Sequence, residues 1–207
     1  MNLIVGNTSQ LFPYFKEYDP NIIGVSSRDF NVESLGGQTF ERAFIAFAEQ
    51  RTFLNEKLSF FTDINVDYTL NVIIKLSPYV KTFIVYSTSE LWNGYEGGIN
   101  LHTPYNYNDS PYIKSKEIME YRVNLLRNFG VDIKIIYPFN FNSPYRKPGF
   151  LFSKFMDVIL HNKKINDNLT TSTDCSTDDE KQEKRKINYY ELKVTMPIQR
   201  AHDISQL

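Results

Sequence analysis

The sequence predicts an α/β fold with a doubly wound parallel sheet, and three observations carry that prediction. Short runs such as Leu3-Ile4-Val5 and Phe83-Ile84-Val85 are apolar at consecutive positions instead of alternating. Longer segments with helical spacing separate them, and the alternation continues only to about Ile165. Strands that are apolar on both faces belong to a parallel sheet covered by helices on both sides.

Each element follows in order. Asn2-Leu3-Ile4-Val5 reads as a short buried strand, and Asn21 to Val25 as a second. Between them Ser9 to Tyr18 has room for one short helix, with Pro13 near its start. Ala43 to Ala48 is a third apolar run and Lys81 to Val85 a fourth. Val66, Leu70, Ile73 and Ile74 fall at helical spacing between those two. Residues 113–129 read as a helix stopped by Gly130, and Val131 to Tyr137 as a fifth strand. Residues 1–165 therefore form one expected domain.

After Ile165 the composition changes. Asn166 to Lys186 keeps only Leu169 and Cys175 as apolar residues and ends in a mixed charge run. Such a segment cannot bury enough surface to offset its ordering entropy, so 166–187 is expected to be a disordered polar linker. Residues 188–207 have room for one strand or short helix.

A chain of 207 residues suits one well-buried domain, or one plus an appendage. Its 16 Phe and 14 Tyr supply a substantial core. A formal net charge of −1 argues against nucleic acid or an anionic membrane surface as partner. The single Cys175 excludes a disulfide framework and a cysteine zinc site. His102, His161 and His202 are widely spaced, so no metal site is expected. No apolar run approaches the ~20 residues of a membrane span, and the N-terminus lacks a basic then apolar leader. A soluble, cytoplasmic protein is the expectation.

The chemistry begins at Tyr86-Ser87-Thr88-Ser89-Glu90-Leu91-Trp92, which ends an apolar strand on hydroxyls and a carboxylate. Hydroxyls at a strand end start turns. The carboxyl ends of parallel strands are also where open α/β sheets place their sites. Further on, Tyr112 and Lys116 in SPYIKSK are four residues apart and share one helix face. An ammonium beside a phenol favours the phenolate, which suits tyrosine as a general acid/base for carbonyl–alcohol interconversion. The plainer reading is a helix start, with Ser110 as N-cap and Pro111 at the first position.

Taken together, YSTSELW, SPYIKSK and the later YPFNFNSP segment (137–144) resemble the extended short-chain dehydrogenase/reductase family of nucleotide-sugar epimerases and dehydratases. The resemblance covers Met1 to about Ile165 and implies a Rossmann-type fold with the C-terminal substrate segment reduced or missing. It implies a catalytic set of Thr88, Tyr112 and Lys116, with Lys116 also on the cofactor ribose and lowering the Tyr112 pKa. Glu90 is implied as the second base of a dehydratase; sugar-acid decarboxylases carry it too. Tyr137, Pro138 and Asn140 are implied to line the cofactor site. Thr88, Asn140 and Arg146 are implied to border the sugar. The resemblance implies a cofactor-facing loop at Glu49-Gln50-Arg51, read as loop polar residues with a weak cofactor role.

The chain departs from the family at the phosphate turn. G-x-x-G-x-x-G is expected, where glycines let the backbone approach a pyrophosphate. Here Gly6 remains while Ser9 and Phe12 replace the other two, which points to a different packing of helix on sheet. After the second strand, Ser27 and Arg28 stand where an NAD enzyme carries an acidic residue, and a hydroxyl with arginine suits the 2′-phosphate of NADP. A solvated arginine in a polar loop is the alternative. The cofactor is thus NAD or NADP, with NADP slightly favoured.

The implied function is hydride transfer through a transient 4-keto nucleotide sugar, in surface polysaccharide (O-antigen or capsule) biosynthesis. A homodimer through the Tyr112 helix is implied as well. The alternative is a catalytically inactive remnant or cofactor-binding module, and a simple short-chain reductase is a third reading. Without a closing segment over the sugar, slow turnover is expected.

Overall fold

The computed structural model describes residues 1–54, 56–100, 102–139, 143 and 145. Asn140 and Arg146, the expected linker and the C-terminal segment lie outside the described residues.

Five strands form one sheet: β1 (Asn2–Val5), β2 (Ile23–Val25), β3 (Phe40–Ile45), β4 (Val80–Tyr86) and β5 (Ile133–Ile136). Their order is β2-β1-β3-β4-β5 and every pairing is parallel. Leu3, Ile4 and Val5 are fully buried because β1 has a strand on each side and side chains packed over both faces. The third apolar run is shifted from its expected bounds. Ala43, Phe44 and Ile45 pair with Leu3, Ile4 and Val5, so β3 leaves the sheet where β1 does. Ala46, Phe47 and Ala48 are then free to line the crevice beyond it.

The chain goes from β1 to β2 on one side and then crosses to β3 on the other. That reversal opens a crevice at the carboxyl ends of β1 and β3, where open α/β sheets bind their ligands. The six-strand Rossmann order 3-2-1-4-5-6 becomes this one when its outermost strand beside β2 is removed.

Helix α1 (Phe12–Tyr18) starts three residues later than expected, with Pro13 in its first turn. Helices α2 (Leu58–Thr62) and α3 (Thr69–Leu76) are joined without a break by a π-turn at Asp63–Tyr68. The Thr69 hydroxyl donates to the Ile64 carbonyl at 3.1 Å across this wider turn. Helix α4 (Pro111–Asn128) buries Tyr112, Ser115, Lys116, Met119, Glu120 and Val123 on one face. It ends at Gly130, whose φ of 87° is a conformation that costs glycine little.

The main core joins Leu3, Val5, Ala43, Ile45, Phe83 and Val85 of the sheet to Val72, Ile73, Leu76, Met119 and Val123 of the helices. A smaller cluster of Phe61, Leu91, Trp92, Tyr112 and Ile113 sits beside the crevice. Among the described residues no helix is long and apolar enough to cross a membrane. No cluster of three His, Cys, Asp or Glu able to hold a metal occurs among them either.

Candidate active site

A cavity of about 780 Å³ opens at the carboxyl end of the sheet. Its floor is set by Gly6, at φ 108°, where a Cβ would lie 2.8 Å from the Ala46 carbonyl oxygen. Only glycine lets the β1 exit come this close to the β3 exit. Ser9 follows; its hydroxyl accepts from the Leu11 N–H at 3.2 Å and so shapes the turn. Gln10 lines the same wall, and its side-chain Oε1 is buried with no hydrogen-bond partner. A buried acceptor left unpaired is costly, so this wall suits a ligand that brings a donor, such as a ribose hydroxyl or a carboxamide.

Phe12, at the third glycine position of the family pattern, packs its ring on Gly24 of β2. A Cβ on Gly24 would lie 2.5 Å from two of the ring atoms. A glycine in the strand has made the room that the helix lacks. Ser27 and Arg28 form the rim past β2. The Tyr68 hydroxyl donates to the Ser27 carbonyl, the Arg28 N–H donates to Ser26 Oγ at 3.2 Å, and the Arg28 guanidinium is exposed.

The opposite wall carries Thr88, Glu90, Tyr112 and Lys116, with Pro138 beside them. Thr88 Oγ1 accepts from the Glu90 N–H at 3.2 Å, capping a short 3-10 turn at Ser89–Trp92. Turn-starting and site-lining thus fall to the same hydroxyl. Burial raises the Glu90 carboxyl above its usual range. Tyr112 is pushed up to about 12 by burial and then by the Glu90 charge, against a Thr88 hydrogen bond that lowers it. Lys116 is pulled down to about 8 by burial, and its Nζ donates to the Tyr86 carbonyl at 2.9 Å.

The expected lowering of Tyr112 by Lys116 is therefore not found in the chain alone. The phenol has lost water against Phe61, whose ring centroid is 6.1 Å away, and the ammonium is held by a strand carbonyl. Desolvation without a neighbouring positive charge raises a phenol's pKa.

Tyr137 sits elsewhere. Its hydroxyl donates to Glu120 Oε2 at 2.8 Å and its ring meets Trp92 edge-on at 5.0 Å, off the cavity wall. The 49–51 loop does border the cavity. Burial works to raise the Glu49 carboxyl, but hydrogen bonds from Arg51 outweigh it and hold it below the usual range. The Glu49–Arg51 ion pair closes at 2.5 Å.

Two buried residues went unseen in the sequence. Asn65, in the π-turn, accepts from the Glu49 N–H at 2.7 Å and donates to the Glu49 carbonyl at 3.1 Å and Ser115 Oγ at 2.9 Å. Ser115 in turn donates to the Tyr112 carbonyl at 2.6 Å, so Asn65 ties the 49–51 loop to the helix that carries Tyr112. Its only signal was a polar residue next to Val66 at the head of an apolar helix face. Glu120 continues the four-residue series of Tyr112 and Lys116, and that spacing was legible.

No family model and no curated protein matches the sequence. Solved structures do match the fold. A UDP-glucuronic acid 4-epimerase from Bacillus cereus, in complex with NAD, aligns with a TM-score of 0.65 at 14% identity, over 78% of this chain and 63% of its own. A dTDP-glucose 4,6-dehydratase from Streptomyces venezuelae, with NAD bound, aligns at 0.66 and 20% identity, over 78% and 63%. A UDP-N-acetylglucosamine 4-epimerase from Methanobrevibacter ruminantium, in complex with UDP-N-acetylmuramic acid, aligns at 0.65 and 15%, over the same shares. The fold is the Rossmann-type fold of these two epimerases and the dehydratase, and the chain spans about 63% of their length.

Proposed function

We propose that the chain is an extended short-chain dehydrogenase/reductase acting on a nucleotide-activated sugar through a transient 4-keto stage. One observation carries the reading. A phosphate-turn wall (Gly6, Ser9, Gln10) and an acid/base wall (Thr88, Glu90, Tyr112, Lys116) face the same cavity. The solved epimerases and dehydratase of like fold support the same class of substrate and a nicotinamide cofactor.

A bound nicotinamide supplies the hydride acceptor for the sugar carbon. The chain's own residues do the remainder. Thr88 hydrogen-bonds the sugar oxygen that loses its proton, and Tyr112 takes that proton. Tyr112 is a neutral phenol at pH 7 in the chain alone. It becomes a base when positive charge comes beside it, and the Lys116 ammonium is the nearest source on its own helix face, once released from Tyr86. In that position Lys116 also holds the ribose. Glu90 is the second base if the reaction goes on to dehydration. Arg28, exposed beside Ser27, suits a 2′-phosphate, so NADP is accepted and slightly preferred.

The cellular setting that follows is surface polysaccharide synthesis in the cytoplasm. Tyr121 and Leu125 on α4, with Phe129 just past its end, recur every four residues and are 65%, 37% and 82% exposed, which supports that helix as a homodimer surface. Asn140, as a cofactor and sugar contact, and Arg146, as a sugar contact, remain part of the proposal and lie outside the described residues.

Titration with NAD(H) and NADP(H), followed by turnover assays on UDP- and dTDP-sugars, tests the reading. Absence of cofactor binding at millimolar concentration sinks it. Phe12 filling a glycine position favours a second reading, a cofactor-binding module without turnover. Tight binding with no product from any sugar would select that one.

A further inference from the structure

Glu120 is the one fully buried carboxylate among the described residues, 4% exposed, and the proposed chemistry does not use it. It lies one turn beyond Lys116 and two beyond Tyr112 on the same face of α4. Its Oε1 accepts from the Ser87 hydroxyl, and its Oε2 accepts from the hydroxyls of Tyr137, at 2.8 Å, and Tyr105. The Tyr105 and Tyr137 rings both pack edge-on against Trp92, at 5.1 and 5.0 Å. Lys116 and Glu120 thus grip consecutive residues at the end of β4: Lys116 holds the Tyr86 carbonyl and Glu120 the Ser87 side chain. All three side-chain partners are hydroxyls that donate to Glu120 and occupy both of its oxygens.

We propose that Glu120 is a positioning residue: it supplies the buried negative charge that keeps Lys116 protonated, and it fastens Ser87, Tyr105 and Tyr137 to the helix that carries that lysine. A buried lysine without a counter-charge gives up its proton. Burial already pulls Lys116 down, and Glu120 is the group that works against it. The other groups around the pair are Tyr86 at the end of β4 and Ser87 just after it, Tyr105 from the segment before α4, Tyr137 after β5, and Tyr112 on α4. Arg127 acts on Tyr137 and Glu90 on Tyr112. None of these places a second carboxylate against Lys116.

The test reads the lysine itself. In protein labelled with ¹³C-lysine, the Lys116 resonance is assigned by its loss in Lys116→Met and titrated by NMR. Glu120→Gln keeps the shape and removes the charge. The Lys116 midpoint is expected to fall by about one pH unit or more, tenfold in proton affinity. An unchanged midpoint in folded Glu120→Gln overturns the proposal, because a merely structural carboxylate would leave it in place. If Glu120→Gln alone does not fold at pH 7, the double variant with Lys116→Met decides. Recovery of folding supports a charge role, and failure to recover overturns it. Neither readout is turnover, so this proposal and the nucleotide-sugar reading stand or fall separately.

Discussion

The ring of Phe12 occupies the space above Gly24, with two ring carbons 2.5 Å from where a Cβ on that glycine would be. Helix α1 reaches the sheet through this pair. Overpacking of this kind costs about 1–3 kcal/mol. Gly24→Ala is therefore expected to destabilise the protein by that amount, and Phe12→Ala to relieve much of the loss. A double-mutant cycle by urea unfolding measures the coupling. Additive losses would show that the ring and the glycine are not partners.

The buried lysine should make stability rise with pH above 8. The folded value of Lys116, about 8, lies below its ordinary 10.5. Between those values the unfolded state holds more protons, so stability rises with pH across that window. Below pH 8 the full penalty is present, roughly 3 kcal/mol as an upper bound at 1.36 kcal/mol per unit. The difference in melting temperature between the wild type and Lys116→Met should thus change with pH, by about 2–4 °C for each kcal/mol of this penalty. The wild type should gain on the variant as pH rises through 8 towards 10.5. Melting curves at pH 7 and 10 check it, and a constant gap would contradict it.

Tyr112→Phe should keep the fold and cofactor binding and lose turnover by about 10²–10⁴-fold, the range for a general acid/base. Steady-state assay of the active sugar, with a melting curve as control, measures this. Wild-type rates in the variant would remove Tyr112 from the chemistry.

Glu90 raises Tyr112 by its charge. In Glu90→Gln the phenol should ionise at lower pH than in the wild type, where it is pushed up to about 12. Ultraviolet titration of the variant against the same protein carrying Tyr112→Phe isolates this one phenol among 14 tyrosines.

At the rim, Arg28→Ala should weaken NADP about tenfold, as expected for a lost charged hydrogen bond, and leave NAD within about twofold. Paired titrations measure the ratio. Equal losses for both cofactors would show that Arg28 does not read the 2′-phosphate.

The sequence by itself determined the sheet. Short runs apolar at consecutive positions, set between longer helical segments, suit strands buried on both faces, so all five were legible even where their ends were not. It also placed Thr88, Glu90, Tyr112 and Lys116 in order, because a helix fixes the 112–116 spacing and a strand end fixes the hydroxyls. Tertiary structure alone decided how those groups feel each other. The π-turn that buries Asn65, the Phe12–Gly24 contact and the buried Glu120 all depend on partners 12 to 50 residues away. The protonation of the site was decided there too. A four-residue spacing says that two side chains share a face, but their charges answer to water and neighbours. Burial raised the phenol and lowered the ammonium, because removing water penalises whichever form is charged.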